Sequence, residues 1–256
     1  MRSETLTELL SRNRPQYLND LQLPGDLRVA VLAPHPDDFD AIGITLRYFR
    51  DRGNRIDVAV LTSGASGVEN GFGGALTPAA KALVREDEQR ASCRFFGLPE
   101  DWLTFLRLTE DEEGHPEEST ANIERVGSYL LAKLPELVFM PHGNDSNPGH
   151  QRTYATFARV AREEGLAVLA LLNRDPKTIA MRHDLCMVFN AEAAAWKGEL
   201  LRFHQSQHQR NLNTRRHGFD ERILSVNRRI AEELGRNGAY AEAFEFEGFG
   251  PPEGKA

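Results

Sequence analysis

Two short stretches of the chain carry the residue types that metal and acid–base chemistry need. The first is His35-Pro36-Asp37-Asp38. Pro36 keeps His35 out of the helical region, so its imidazole projects from the end of the preceding apolar run. Across a tight turn, a ring nitrogen of His35 and a carboxylate oxygen of Asp38 can converge on one cation. Asp37 lies between them and must feel that cation. The competing reading is helix capping, with Asp38 or Asp40 satisfying free N–H groups of the helix that follows. The second stretch is His142-Gly143-Asn144-Asp145-Ser146-Asn147-Pro148-Gly149-His150. One histidine in such a loop is more often a hydrogen-bonded loop residue than a ligand. Two such loops on one predicted edge weigh against that reading.

Together His35, Asp38 and His150 make a set of two histidines and one carboxylate. Three protein ligands with an open position is the pattern of catalytic zinc. The same set suits non-haem iron or another divalent metal, so the ligands do not fix the metal. Bound zinc lowers the pKa of its water to about 7. Asp37 stands where a general base would take that water's proton.

These loops meet only if the surrounding elements bring them to one edge. Residues 27–33 form an apolar run closed by Pro34 and Pro36. A helix follows, with Ile42, Leu46 and Phe49 on one face. Residues 56–61 read as a second strand and 63–77 as a long loop. Pro78 opens a helix that runs to Phe96 and stops at Gly97. Short strands are expected at 102–106, 137–140, 166–172 and 185–189. Helices are expected between them, and two more after residue 190. Strands alternating with helices imply an α/β, Rossmann-like fold, a mostly parallel sheet with helices on both faces. Such sheets bind ligands outside the carboxyl ends of their strands. The reading is one domain over residues 1–256, with a helical appendage at 1–24 and a loose tail at 247–256.

The formal charge of −7 argues against a general nucleic-acid binder. Two isolated cysteines, Cys93 and Cys186, exclude a disulfide scaffold and a Cys-rich zinc motif. The first 23 residues lack the apolar core of a signal peptide, and no apolar run approaches the ~20 residues of a membrane span. The expectation is a cytoplasmic protein, with homo-oligomerisation left open. Arg202, Arg210, Arg215, Arg216, Arg222, Arg228 and Arg229 read as a solvated helical surface, with a phosphorylated substrate or an acidic subunit face as the alternative. His204 and His208, four apart, read as polar residues beside a core stripe rather than as metal ligands. Gly71-Phe72-Gly73-Gly74 is no dinucleotide fingerprint. It reads as a mobile lid over the pocket.

The two histidine stretches resemble the LmbE-like, PIG-L-type N-acetylglucosaminyl de-N-acetylases, whose first motif is Ala-His-Pro-Asp-Asp-Glu and whose second ends in His-Pro-Asp-His. Here these are Pro34-His35-Pro36-Asp37-Asp38-Phe39 and Asn147-Pro148-Gly149-His150. Weaker likenesses are Arg85-Glu86-Asp87-Glu88 before Phe96-Gly97-Leu98, Lys197 with His204-Gln205-Ser206-Gln207, and residues 240–244. The resemblance implies a zinc-dependent hydrolase that removes acetyl from an N-acetylglucosamine-type sugar conjugate. It makes His35, Asp38 and His150 the metal ligands, Asp37 the general base and Arg85 a substrate-holding residue.

Two positions depart from the pattern. Phe39 replaces the first motif's Glu and is expected to reshape the pocket wall. Asn147 replaces the first His of the second motif. An Asn amide can donate a hydrogen bond to substrate but cannot deliver a proton. Asp37 then returns the proton to the amine, with His142 as the alternative donor. The departures also support a second reading, a catalytically impaired, metal-containing protein that binds a sugar conjugate or regulates. An iron-dependent oxygenase would sit on a different fold.

Overall fold

The buried strands are near-continuous apolar runs because both of their faces are covered. The structure is a computed structural model that describes residues 13–250. The strands are β1 (Gln16–Tyr17), β2 (Arg28–Ala33), β3 (Arg55–Val60), β4 (Leu103–Phe105), β5 (Leu137–Pro141), β6 (Val168–Asn173), β7 (Leu185–Phe189) and β8 (Tyr240–Phe249). They form one sheet in the order β1-β7-β8-β6-β5-β2-β3-β4. Only β8 is antiparallel to its neighbours.

The helices are α1 (Gly43–Asp51), α2 (Pro78–Phe96), α3 (Thr120–Lys133), α4 (Pro148–Glu163), α5 (Ala191–Leu201), α6 (Gln205–Arg215) and α7 (Phe219–Glu233). The period-two alternation of the strands divides the core. Val29, Val31, Phe139 and Leu171 face one way and pack with Phe49 of α1, Phe96 of α2 and Leu200 of α5. Ala30, Leu32, Val138 and Met140 face the other way, onto Val126 and Leu130 of α3 and Phe157 of α4. Helix starts follow their caps. Thr77 accepts from Ala80 N before Pro78 opens α2, and Gly97, at φ +85°, ends it.

Three expectations need correction. The described part of the N-terminal segment is not a helical appendage. β1 adds to the open edge of β7, and Leu18 and Leu21 are buried in the main core. The earlier part of that predicted helix lies outside the described residues. Nor is residue 247 the start of a loose tail. Glu247, Gly248 and Phe249 pair with Ala170, Leu169 and Val168, and Phe249 packs edge-on against Phe157 at 5.1 Å. The remainder of the tail, 251–256, is outside the described residues. Three helices, not two, follow residue 190. The chain breaks between α5 and α6 because His204 turns inward to a buried Asp40, with 2.6 Å between Nε2 and Oδ2. Among the described residues, no helix is long and apolar enough to cross a membrane.

A buried ion pair ties this frame together. Lys197 Nζ on α5 donates to Glu242 of β8, Asn227 of α7 and the Ala41 carbonyl, at 2.6–2.7 Å. The Glu242 carboxylate also accepts the Ile44 and Thr45 N–H groups at the start of α1. Burial pulls the Lys197 ammonium below its ordinary range, and Glu242 opposes this. Glu242→Gln leaves an uncompensated buried charge, so it should destabilise the fold by about 3–5 kcal/mol in urea unfolding. A midpoint equal to the wild type's would show that the pair does not hold the frame.

Candidate metal centre

β2 sits where the strand order reverses. β3 pairs on one side of it and β5 on the other. The loops leaving β2 and β5 therefore part around a crevice, the usual place for a ligand in such a sheet. His35 and Asp38 come from the first loop, and His150 comes from the first turn of α4 after the second. Their ligand atoms lie within 4.8 Å of one another. His35 Nδ1 is 3.3 Å from Asp38 Oδ2, and His150 Nε2 is 3.6 Å from Asp38 Oδ1. Gly149 lets the helix start approach His35. A Cβ there would meet the His35 ring at 3.1 Å and Asn147 Oδ1 at 3.3 Å.

The electrostatics suit a cation. Burial pushes the Asp38 carboxyl up, but hydrogen bonds from His35 and the charge of His150 outweigh it and hold it down at about 2. Burial likewise opposes charge on His150, yet Asp145, Asp38 and Asp175 raise it to about 9. Three carboxylates around one imidazole favour positive charge there, and two nitrogens with one oxygen are a donor set that fits a divalent metal.

Asp145 and Asp175 were not singled out from the sequence. His150 Nδ1 lies 3.3 Å from Asp145 Oδ2 and 3.6 Å from Asp175 Oδ2, which leaves Nε2 turned toward Asp38. A carboxylate behind a histidine fixes its ring and raises its basicity as a ligand. Asp145 is fully buried and also accepts the Asn147 N–H at 2.7 Å. Burial raises Asp175 to about 6, and the neighbouring Asp145 adds to this. Asp175 leaves the end of β6, so the strand-end rule applied to one more strand finds it.

Asp37 adopts φ +117°, costly for a residue with a side chain. Two side chains of α2, one turn apart, hold it there. Gln89 accepts the Asp37 N–H at 3.0 Å, and Arg85 donates to Asp37 Oδ2 at 2.9 Å and to the Pro36 carbonyl. Arg85 is buried rather than on a solvent-exposed helix face, and Glu88 pairs with it at 3.2 Å. Glu88 in turn accepts from the Ser206 backbone N and hydroxyl. Burial raises the Asp37 carboxyl, and Arg85 works against that rise.

Of these groups, His35, Asp37, Asp38, Arg85, His150 and Asp175 line a cavity of about 390 Å³. Asn147 lines it too. Its Oδ1 caps α4 by accepting from Gly149 N at 3.0 Å, and its Nδ2 donates to no described residue. His115, from the loop after β4, also lines the cavity, and its buried Nδ1 has no partner among the described residues. Burial and the nearby His35 pull its pKa below the ordinary range, so the ring is neutral at neutral pH. Nothing in the acidic run around it marked His115 in the sequence.

Other expected groups lie elsewhere. Phe39 packs on Phe96 in the core, with centroids 4.9 Å apart, rather than on the pocket wall. His142 does not line the cavity. Its Nδ1 accepts from Asn144 N, and its Nε2 faces Glu245. His204 faces Asp40 and His208 faces Asp220, so the two share no site. Gly64, Ser66 and Gly67 touch the cavity, and the glycine-rich 71–74 turn does not.

Residues 30–161, just over half of the chain, match the family model described as PIG-L: GlcNAc-PI de-N-acetylase. No curated protein matches the chain. Among solved structures, N,N'-diacetylchitobiose deacetylase from Pyrococcus horikoshii is 19% identical, with TM-score 0.70, covering 90% of this chain and 87% of its own. The 4-carboxy-2-hydroxymuconate hydratase GalB from Pseudomonas putida KT2440 is 17% identical, with TM-score 0.66, covering 89% and 99%. The zinc-inhibited form of teicoplanin deacetylase Orf2 is 17% identical, with TM-score 0.63, covering 89% and 100%. These likenesses establish the fold. Since one is a hydratase, the fold by itself does not fix the reaction.

Asp145→Asn keeps the shape of the side chain and removes the charge behind His150. Affinity for added Zn²⁺, measured by competition with a chromophoric chelator, should fall about 10- to 100-fold. Unchanged affinity would mean that Asp145 only braces the loop.

Proposed function

Because the chain belongs to the PIG-L family, we propose that it is a divalent-metal-dependent hydrolase that removes the acetyl group from an N-acetylglucosamine-type sugar conjugate. The convergence of His35, Asp38 and His150 beside Asp37, in one cavity, supports this reading best. The proposed metal is zinc, and ferrous iron suits the same three ligands. When bound, such a cation polarises a carbonyl and lowers the pKa of its water to about 7.

The remaining chemistry belongs to the chain. Asp37 takes the proton of the attacking water as the carbon–oxygen bond forms. Arg85 and Gln89 act through Asp37, by fixing its carboxylate and its backbone. Asn147 Nδ2 and the neutral His115 ring are the donors proposed for the developing oxyanion. Asp37 then returns its proton to the nitrogen as the carbon–nitrogen bond breaks. The products are acetate and a free amine. No histidine stands at position 147 to share that last step, so one carboxylate serves both proton transfers.

Asn147 is also the observation that favours a second reading, a metal-containing protein that binds a sugar conjugate without turning it over. Calorimetric binding of N-acetylated glycosides, with no amine released over hours, would select that reading.

Elemental analysis should find about one divalent metal per chain, lost in His150→Ala. Asp37→Ala should keep the metal and lose about 10²- to 10⁴-fold in amine release from a panel of N-acetylated glycosides. Near-normal turnover in that variant would remove Asp37 from the proton transfers.

A further inference from the structure

The wall that α6, α7 and the loop after β6 give the cavity differs in character from the metal-type cluster. Arg210 and Arg215 of α6, Arg222 of α7 and Lys177 after β6 all line it. No carboxylate of the described residues lies within ion-pair distance of any of these four side chains, and none of them donates a hydrogen bond. Arg202, at the end of α5, shows the contrast, since it pairs with Asp220 at 2.8 Å. The Arg210 guanidinium lies over Gly67, where a Cβ would meet its Nη1 at 3.4 Å. Gln207, one turn before it, fastens that loop by donating to the Gly67 carbonyl at 3.0 Å.

Arg222 is the inner member of the group. It is half-buried, and desolvation, then the charges of Arg215 and Arg210, pull its pKa below the ordinary range. An unpaired cation in this position carries a cost that an anion would remove. The carboxylates that act on it are Asp175 and Asp37, both beside the metal-type cluster. The cavity therefore carries both signs, with Asp37, Asp38, Asp175 and Glu113 as its lining carboxylates and the four unpaired cations on α6, α7 and the loop after β6. Net charge does not explain this wall, because the whole chain carries −7.

We propose that Arg222, Arg215, Arg210 and Lys177 form an anion subsite, and that the substrate carries, besides its acetamide, a compact group with two negative charges. This rests on the de-N-acetylase reading and adds the substrate's charge and size. A phosphomonoester and a dicarboxylate share the chemistry, since planar guanidinium forks bind either by paired hydrogen bonds. A cavity of about 390 Å³ is at the small end of ligand pockets, roughly 300–1,000 Å³. It suits a monosaccharide with a small charged substituent better than a lipid or glycopeptide. An acidic protein surface would meet the exposed Arg210 and Arg215 but could not reach Arg222 inside the wall.

The test uses the metal-loaded full chain and two readouts. The first is deacetylation of N-acetylglucosamine 1-phosphate against neutral methyl N-acetylglucosaminide. The ratio of kcat/KM should favour the phosphate and fall about 10- to 100-fold in Arg222→Gln, the scale of one charged hydrogen bond. Arg215→Gln, at an exposed position, should lower the ratio in the same direction, and it guards against misfolding of the first variant. The second readout is calorimetric binding of inorganic phosphate and of succinate, which separates the two anion classes. Phosphate binding that depends on His150 but not on Arg222 or Arg215 would assign the anion to the metal-type cluster and overturn the subsite. Equal kcat/KM for the two sugars, or anion binding unchanged in both variants, would overturn the subsite and leave the hydrolase reading standing. Arg222-dependent anion binding without amine release from either sugar would support the subsite and count against the hydrolase reading. Variants that alter only the oligomeric state would assign the arginines to a protein interface and overturn the subsite.

Discussion

Asp38 lies between two histidines that arrive from different strands, and the surrounding structure depends on keeping it there. Neither loop could place its histidine alone. The loop after β2 supplies His35 and Asp38, and the loop after β5 supplies His150. They meet because β5 and β3 flank β2 on opposite sides. Buried carboxylates behind His150 fix which ring nitrogen faces inward. Removing water from these charges is costly, so their mutual pairing, and the cation they suit, must compensate.

A second set of buried polar contacts holds the helices that form the cavity walls. Arg85 joins Asp37 to Glu88, and Glu88 joins α2 to Ser206 on α6. His204 joins the start of α6 to Asp40. Lys197 joins α5 to β8 and α7. Apart from the Arg85–Glu88 pair within α2, each contact links different elements through a buried polar atom. Apolar packing tolerates small shifts, whereas these contacts specify one arrangement. The strained backbone of Asp37 is sustained by that arrangement.

The chain's acidity is distributed with similar consequence. Carboxylates and unpaired cations line the same cavity, on different loops and helices. Charges of both signs thus face one concave volume, whose walls strengthen their field.

Much of this was legible in the sequence. Apolar runs of strand length, alternating with helical periodicity, dictated a mostly parallel sheet with both faces covered. Pro36 after a buried run, and Pro148 before a helix, marked strand-end loops with ligand-type residues. Those signals are local, because backbone propensity and burial period act over a few residues. Three-dimensional packing decided the rest. Residues 240–244 carry only a weak likeness and 247–256 read as a tail, because the role of 240–249 as an antiparallel strand depends on partners 71–81 residues away. Asp145, Asp175 and His115 carry no motif; Asp175 and His115 matter because their loops reach the cavity, and Asp145 because it is buried behind His150. Arg85 and Glu88 have the spacing of an ordinary solvent pair, and only burial against Asp37 gives Arg85 a different task. Sequence determines which residues can do chemistry. Which of them share one volume from which water is excluded is a property of tertiary structure, because it depends on distances that no local spacing encodes.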